Sequence, residues 1–145
     1  MQCGELIRAL EMMKTHVQRV SPDAQLTEAV DLMDLYQVSA LPVVSETGTL
    51  MGILTERDIV EALLRVESAI KETSFTKWGK VSPTLVHEAM STPALFIEEG
   101  ADVRSAALLM LERGLKRIPV VSSNMEVIGV LNRIDVLQAL FEGRL

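Results

Sequence analysis

The sequence is poor in the residue types that build disulfides, metal sites and base-stacking surfaces. Its 145 residues include one cysteine, two histidines and only 3% aromatic residues. Cys3 cannot form an intramolecular disulfide, and its spacing from His16 and His87 matches no metal-binding motif, so we expect no metal. The few aromatic residues and the net charge of −6 argue against a nucleic-acid partner, whose recognition needs stacking and clustered cations.

Long apolar runs and catalytic motifs are also missing. Apolar stretches such as residues 106–111 are interrupted by charge well before the roughly 20 residues needed to cross a bilayer. With no signal-peptide pattern either, we expect a cytoplasmic protein without direct membrane insertion, or the cytoplasmic module of a larger membrane protein. No P-loop, dinucleotide fingerprint or nucleophile elbow occurs, so the sequence gives no support for an enzyme.

What the sequence does contain is an internal repeat. Residues 41–45, Leu-Pro-Val-Val-Ser, match residues 118–122, Ile-Pro-Val-Val-Ser, at an offset of 77 residues. The same offset aligns Gly52 with Gly129 and Asp58 with Asp135 without a gap. Self-similarity of this kind indicates a duplicated structural unit.

Each copy has the same pattern of predicted elements. A short apolar strand (17–20; 94–97) precedes a helix whose apolar residues recur at helical spacing, and two β-rich runs joined by a hairpin-like turn lead into a second helix (56–65; 133–141). The apolar helix positions are Leu26, Ala29, Val30 and Met33 in the first copy and Val103, Ala106, Ala107 and Met110 in the second.

This pattern predicts an α/β (α+β) fold of two β-α-β-β-α repeats. One copy is too small to bury a core, so we expect the two to pack with pseudo-two-fold symmetry as one compact module. We assign residues 1–66 to the first repeat, 67–83 to a connecting segment and 84–145 to the second repeat. Residues 4–13 and 84–90 each have the apolar spacing of a short helix that leads into its repeat.

Two heptapeptides carry the most specific signal. Residues 52–58, Gly-Ile-Leu-Thr-Glu-Arg-Asp, and residues 129–135, Gly-Val-Leu-Asn-Arg-Ile-Asp, follow the Leu-Pro-Val-Val and Ile-Pro-Val-Val runs at equal spacing. With Met13-Lys14-Thr15 and Met90-Ser91-Thr92-Pro93 upstream, the chain resembles the CBS domain family, named after cystathionine β-synthase, over nearly its whole length. It departs from the family pattern at Asn132, where Ser or Thr is usual.

The resemblance implies a regulatory, non-catalytic module. Members of the CBS domain family bind adenosine-containing ligands, such as AMP, ADP, ATP or S-adenosylmethionine, in clefts between the repeats, and they require no further cofactor. They commonly form homodimers and regulate an attached or associated enzyme, channel or transporter. The resemblance therefore implies nucleotide binding and energy sensing. A structural dimerisation or protein-interaction module whose clefts stay empty is the alternative.

The chemistry of the heptapeptides agrees with a nucleotide site. Gly52 and Gly129 permit close approach of a flat adenine, and Asp58 and Asp135 can accept hydrogen bonds from ribose hydroxyls. The helix that begins behind Thr55 or Asn132 presents free backbone N–H groups to a phosphate. The cations available near these groups are Arg57, Lys116, Arg117 and Arg133.

The remaining candidate residues form the walls of each cleft. For the first-repeat cleft they are Ala40, Leu41 and Pro42, with Thr15, His16 and Val17 opposite. For the second-repeat cleft they are Arg117, Ile118 and Pro119, with Thr92, Pro93 and Ala94 opposite. A purely structural interpretation also exists, because Thr55 with Asp58, and Asn132 with Asp135, have the spacing of a helix-capping box.

Overall fold

The computed structural model of the chain describes residues 6–73 and 85–145. These residues form two compact units, which we call the central unit, Gln18–Ala94, and the terminal unit, Met1–Val17 with Leu95–Leu145. In chain order the helices and strands are α1 Ala9–Met12, α2 Leu26–Tyr36, β1 Ala40–Val44, β2 Leu50–Thr55, α3 Glu56–Thr73, α4 Val86–Ala89, β3 Ile97–Glu98, α5 Val103–Arg113, β4 Arg117–Val121, β5 Val127–Asn132 and α6 Arg133–Phe141.

The central unit is built on an antiparallel hairpin of β1 and β2. Ala40 pairs with Thr55 at the open end of the hairpin, and Val20 forms a parallel bridge to Val43 on the other edge of β1. The helices α2, α3 and α4 cover the hairpin because each has an apolar face. The buried core consists of Val20, Leu26, Ala29, Met33, Leu41, Val43, Leu54, Ile59 and Val86.

The terminal unit repeats this arrangement with one regular strand more. Strands β4 and β5 form an antiparallel hairpin in which Arg117 pairs with Asn132, and β3 lies parallel to β4 through Ile97 and Val120. The helices of this unit are α1, α5 and α6. Its buried core consists of Ala9, Ile97, Val103, Ala106, Met110, Ile118, Val120, Leu131 and Val136.

The predicted β-α-β-β-α order is confirmed, with differences at the element ends. The predicted first strand of the first repeat is reduced to the single bridge at Val20, and Val30, predicted as a core position of α2, is exposed. Helix α3 runs to Thr73, so the start of the predicted connecting segment is helical. Residues 74–83 of that segment lie outside the described residues.

The two short lead-in helices exist as predicted, but each packs with the other repeat. In the central unit, the backbone N–H of Val86 donates to the Ala24 oxygen at 2.9 Å. In the terminal unit, the N–H of Ala9 donates to the Ala101 oxygen at 2.7 Å. Ala24 and Ala101 are equivalent repeat positions. The packing units are therefore divided differently from the sequence repeats.

Two turn positions in each repeat require a left-handed backbone. In the hairpin turns, Gly48 has φ of 86° and the equivalent Met125 has φ of 65°. After the first long helix, Gln37 has φ of 53° and the equivalent Gly114 has φ of 66°. Only glycine adopts this conformation without steric cost, so each repeat has one relaxed and one strained turn.

Candidate ligand-binding sites

In the central unit, the candidate site lies at the corner where β2 passes into α3. The Thr55 Oγ1 accepts a hydrogen bond from the Asp58 backbone N–H at 3.0 Å, and Asp58 Oδ2 accepts one from the Thr55 N–H at 2.9 Å. These reciprocal bonds form a capping box, which satisfies two of the free donors at a helix start. The structural interpretation of Thr55 and Asp58 is therefore correct for this corner.

The lead-in segment before the second repeat completes this corner. Ser91 exchanges two backbone hydrogen bonds with Ile53, at 3.0 and 2.8 Å, and so extends the hairpin by one residue. Its hydroxyl donates to Asp58 Oδ1 at 2.8 Å. Each oxygen of the Asp58 carboxylate thus has one donor from the chain. Each oxygen also keeps a lone pair for a further donor.

In the terminal unit the same corner has a different side chain facing the acid. Lys14 exchanges backbone hydrogen bonds with Val130 at 2.8 and 2.9 Å, as Ser91 does with Ile53. The Lys14 ammonium lies 4.0 Å from Asp135 Oδ2, and the Asp135 side chain is 20% exposed. Lys14 and Ser91 are equivalent repeat positions, so one corner presents a cation where the other presents a hydroxyl.

The capping box predicted for Asn132 and Asp135 is wrong. Asn132 makes no side-chain cap, and its Nδ2 donates only a long bond of 3.4 Å to Asp135 Oδ2. Among the described residues, the buried Asn132 Oδ1 has no hydrogen-bond partner. A buried acceptor without a donor is costly, so a donor supplied to this atom would be stabilising.

The two glycines serve the fold rather than an open adenine slot. A Cβ atom at Gly52 would lie 2.9 Å from the Ser91 carbonyl oxygen, and one at Gly129 would lie 2.9 Å from the Lys14 carbonyl oxygen. Close backbone approach is therefore needed, as predicted, but the approaching group is the lead-in segment. The prediction that adenine lies directly on these glycines needs this correction.

The opposing walls are exchanged relative to the prediction. Thr15, His16 and Val17 belong to the terminal unit with Asp135, and Thr92, Pro93 and Ala94 belong to the central unit with Asp58. The physical reason is the backbone pairing of Lys14 with Val130 and of Ser91 with Ile53, which fixes each lead-in segment beside the other repeat's motif.

The apolar wall residues on the strands are also corrected. Leu41, Pro42, Ile118 and Pro119 are buried, and the side chains of Leu41 and Ile118 belong to the cores of their units. They cannot offer apolar side-chain contacts to a ligand. The first residues of β1 and β4, Ala40 and Arg117, remain accessible beside Thr55 and Asn132.

The cations divide unequally between the corners. Lys116, Arg117 and Arg133 are exposed and line a cleft of about 310 Å³ in the terminal unit, together with Asn132, Ile134 and Leu137. In the central unit, Arg57 points along α3, where its Nε donates to Glu61 Oε1 at 3.1 Å. The predicted phosphate role of Arg57 therefore competes with this ion pair. The second-repeat cations line one cleft, and their contact with a phosphate stays a prediction.

Sequence reasoning missed Ser91 and Lys14 as neighbours of the two aspartates. The signal was present, because both residues stand directly before the predicted wall threonines and are related by the repeat offset. Within residues 6–73 and 85–145, no group of three or more His, Cys, Asp or Glu side chains is arranged for a metal ion. No helix in the same part of the chain is long and apolar enough to span a membrane.

Two similar α+β units with the same strand-to-helix corner define the chain as a tandem-repeat protein. The family model described as "CBS domain" matches residues 7–65 and 86–142. The chain therefore belongs to the CBS domain family, as a pair of repeats.

Relatives and solved structures agree with this assignment. The chain is 34% identical over 121 residues to the CBS domain-containing protein YhcV of Bacillus subtilis, covering 83% of this chain and 76% of that protein. An uncharacterized protein of Methanopyrus kandleri is 30% identical to this chain over 118 residues. The match covers 81% of this chain and 55% of that relative.

Two solved structures show the same fold at low sequence identity. CBSX2 of Arabidopsis thaliana in complex with AMP has a TM-score of 0.76 at 23% identity, covering 95% of this chain and 98% of that one. The CBS domain pair of protein MJ0100, in complex with 5'-methylthioadenosine and S-adenosyl-L-methionine, has a TM-score of 0.69 at 21% identity. The match covers 97% of this chain and 100% of that one.

Proposed function

We propose that the chain is a regulatory module that senses adenosine-containing ligands, with one site at each strand-to-helix corner. The observation that carries the proposal is the partly exposed Asp135 carboxylate near the start of α6, whose partners among the described residues are a 3.4 Å bond from Asn132 and the Lys14 ammonium at 4.0 Å. Relatives with the same fold bind AMP, 5'-methylthioadenosine and S-adenosylmethionine. The choice among AMP, ADP, ATP and S-adenosylmethionine belongs to the proposal.

Ribose recognition accounts for the polar groups at the terminal corner. Among the described residues, Asp135 has a long bond from Asn132 and a distant Lys14 ammonium, so its oxygens can accept further donors. The two hydroxyls of a ribose supply such donors, and Asn132 lines the adjoining cleft. In this arrangement Asn132 contributes to ligand binding, although the family usually has Ser or Thr there.

At the central corner the Asp58 carboxylate has more hydrogen bonds from the chain than Asp135 has at the terminal corner. Asp58 already accepts bonds from the Thr55 backbone and the Ser91 hydroxyl. A ribose at this site must share the remaining lone pairs or displace the Ser91 hydroxyl, which can rotate away. We therefore assign Ser91 and Thr92, rather than Thr15 and His16, to the wall of the first-repeat site.

A thermal-shift panel tests this function. The ligands are adenosine, AMP, ADP, ATP and S-adenosylmethionine, and guanosine triphosphate is the control. A ligand that binds only the native state raises the melting temperature by mass action, by the equivalent of about 2.7 kcal/mol at one hundred times its Kd. We expect a shift for at least one adenosine compound and a smaller one in Asp135→Ala, each compared with its own ligand-free protein. The absence of any shift, with no heat in calorimetry at millimolar ligand, would refute the proposal.

Regulation by this module requires an attached or associated target, and we propose an enzyme, channel or transporter in that role, with no catalysis by the chain itself. Because the chain spans only about half of one relative, such a target can lie on the same polypeptide. The cytoplasmic location stays a prediction from the sequence.

A second candidate function is supported by exposed apolar side chains on the long helices. Leu35 on α2 is 71% exposed, Leu111 on α5 is 72% exposed and Phe141 at the end of α6 is 85% exposed. In the terminal unit one groove is lined by the exposed side chains of Leu108, Leu111, Leu137 and Leu140. A continuous exposed apolar surface of this kind favours an interaction site. We propose that it supports a homodimer, which is compatible with ligand binding and is also the basis of a purely structural module.

The oligomeric state in solution, measured together with ligand binding, distinguishes the ligand-sensing module from the purely structural module. Light scattering on the wild type should give a dimer, and Leu111→Asp should shift it towards the monomer, because a buried carboxylate at an interface is costly. Asp31→Ala, on the exposed surface of α2, is the control. A dimer that binds no adenosine ligand would favour the structural module, and a monomeric wild type would exclude it.

A further inference from the structure

The two corners have the same backbone, so their side chains can be compared position by position. In the central unit Ala40 pairs with Thr55, and the Glu56 N–H donates to the Ser39 oxygen at 3.0 Å. In the terminal unit Arg117 pairs with Asn132, and the Arg133 N–H donates to the Lys116 oxygen at 2.8 Å. Residues related by the repeat offset are therefore structurally equivalent within each unit.

The terminal corner collects positive charge. Its cleft is lined by Lys116, Arg117 and Arg133, and in the part of the chain that the structure describes no acidic side chain lines it. Among the described residues, no carboxylate lies within ion-pair distance of these three cations. The fourth cation, Lys14, stands beside Asp135 at the same corner. Cations that lack partners and share one concave surface favour an anion of several charges.

The central corner has no such charge. The equivalents of Lys116 and Arg117 are Ser39 and Ala40, and the equivalent of Arg133 is Glu56. The equivalent of Lys14 is Ser91, whose hydroxyl is already bound to Asp58. Arg57, at the position of Ile134, belongs to this corner, and Glu61 pairs with it at 3.1 Å.

The aspartate is common to both corners, so it cannot distinguish ligands by itself. In the terminal unit Asp135 can accept hydrogen bonds from ribose hydroxyls, and the cations that line the neighbouring cleft can pair with an anion. A phosphorylated adenosine ligand has both groups, with the phosphates attached to the ribose. In the central unit Glu56 repels phosphate at the position where Arg133 attracts it.

We propose that the two sites divide ligands by charge: the terminal corner binds adenosine di- or triphosphate through its phosphates, and the central corner accepts only adenosine compounds without phosphate. This division rests on the proposed function. Lys116, Arg117 and Arg133 are the residues that determine specificity for the phosphates.

Calorimetry with adenosine, AMP and ATP tests this division on the wild type and on Arg117→Ala. We expect ATP to bind more tightly than adenosine, and we expect the affinity for ATP to fall as salt is added. Removal of one charge-assisted contact should lower ATP affinity about ten-fold or more and leave adenosine affinity within about two-fold. Arg113→Ala is the matched control, because Arg113 is an exposed cation of the same unit that does not line the cleft.

A second experiment transfers the cations of the terminal corner to the equivalent positions of the central corner. In an Asp135→Ala background, Ser39→Lys with Ala40→Arg and Glu56→Arg should create ATP binding at the central corner. The Asp135→Ala protein without these three changes should keep only the adenosine site. Failure of the exchange to raise ATP affinity would contradict the assignment of specificity to these positions.

The outcomes separate the two proposals. Equal losses of ATP and adenosine binding in Arg117→Ala, or an equal loss of ATP binding in Arg113→Ala, would overturn the division of ligands but leave adenosine sensing intact. If adenosine, AMP and ATP all give no heat on a folded wild-type protein, the proposed function fails and the division fails with it.

Discussion

Asp58 and Asp135 occupy equivalent positions, but their removal should have unequal effects on stability. Asp58 accepts bonds of 2.9 Å from the Thr55 N–H and 2.8 Å from the Ser91 hydroxyl. Loss of a helix cap costs about 1 kcal/mol, and loss of a further hydrogen bond costs about 1 kcal/mol. Asp58→Ala should therefore lower the free energy of unfolding by about 2 kcal/mol in the absence of ligand.

Asp135→Ala should cost much less. Within the described residues, the partners of the Asp135 carboxylate are Asn132, through a 3.4 Å bond, and Lys14 at 4.0 Å, whose side chain is 60% exposed. Exposed ion pairs contribute about 0–1 kcal/mol because solvent screens them. We expect a loss of about 0.5 kcal/mol, so the two variants should differ by about 1.5 kcal/mol.

Urea unfolding of the ligand-free proteins measures this difference. For a slope near 2 kcal/mol per molar urea, Asp58→Ala should shift the midpoint by about 1 M. A double-mutant cycle of Ser91→Ala with Asp58→Ala isolates the bond between them, with an expected coupling of about 1 kcal/mol. Equal midpoints for Asp58→Ala and Asp135→Ala, or no coupling in the cycle, would refute the reasoning.

Two further predictions concern backbone positions. Gly129→Ala should lower the free energy of unfolding in urea by about 1–3 kcal/mol, because the added Cβ would press on the Lys14 backbone. The control Gly100→Ala has open space at its Cβ and should cost less than about 0.5 kcal/mol. Equal effects of the two substitutions would contradict the close approach at Gly129. Met125→Gly should raise the midpoint by the equivalent of about 0.5–1 kcal/mol, because Met125 has φ of 65°, and Gly48→Ala should lower it by about 1 kcal/mol. A destabilised Met125→Gly protein would show that the Met125 side chain outweighs the strain.

Local signals predicted the elements correctly where one face of each was buried. Apolar spacing identified α2, α5 and both hairpins, because burial of one face imposes a period that is visible in the sequence. The same signal overestimated the first strand near Val20, where a single bridge suffices to bury the side chain. The end of α3 was missed because its last turns are polar, and polar residues fit a helix and a loop equally well.

The positions of some candidate ligand-binding residues could also be predicted from the sequence, whereas their role in binding stays a prediction. Asp58 and Asp135 lie at the corners that the heptapeptides form, and Lys116 and Arg117 lie beside the second of these corners. Leu41 and Ile118 were misassigned because strands β1 and β4 are buried on both faces, so their apolar residues belong to the core. Nothing local to residues 14 or 91 indicates which aspartate either one contacts.

The sequence by itself determined the duplication, the order of elements in each copy and the charge carried at each equivalent position. The repeat offset establishes these because equivalent residues are aligned without a gap. Only the tertiary structure decided that Ser91 lies on Asp58 and Lys14 near Asp135. The repeat pattern is unchanged by exchanging the two lead-in segments, so the choice depends on long-range backbone pairing, which local patterns do not encode.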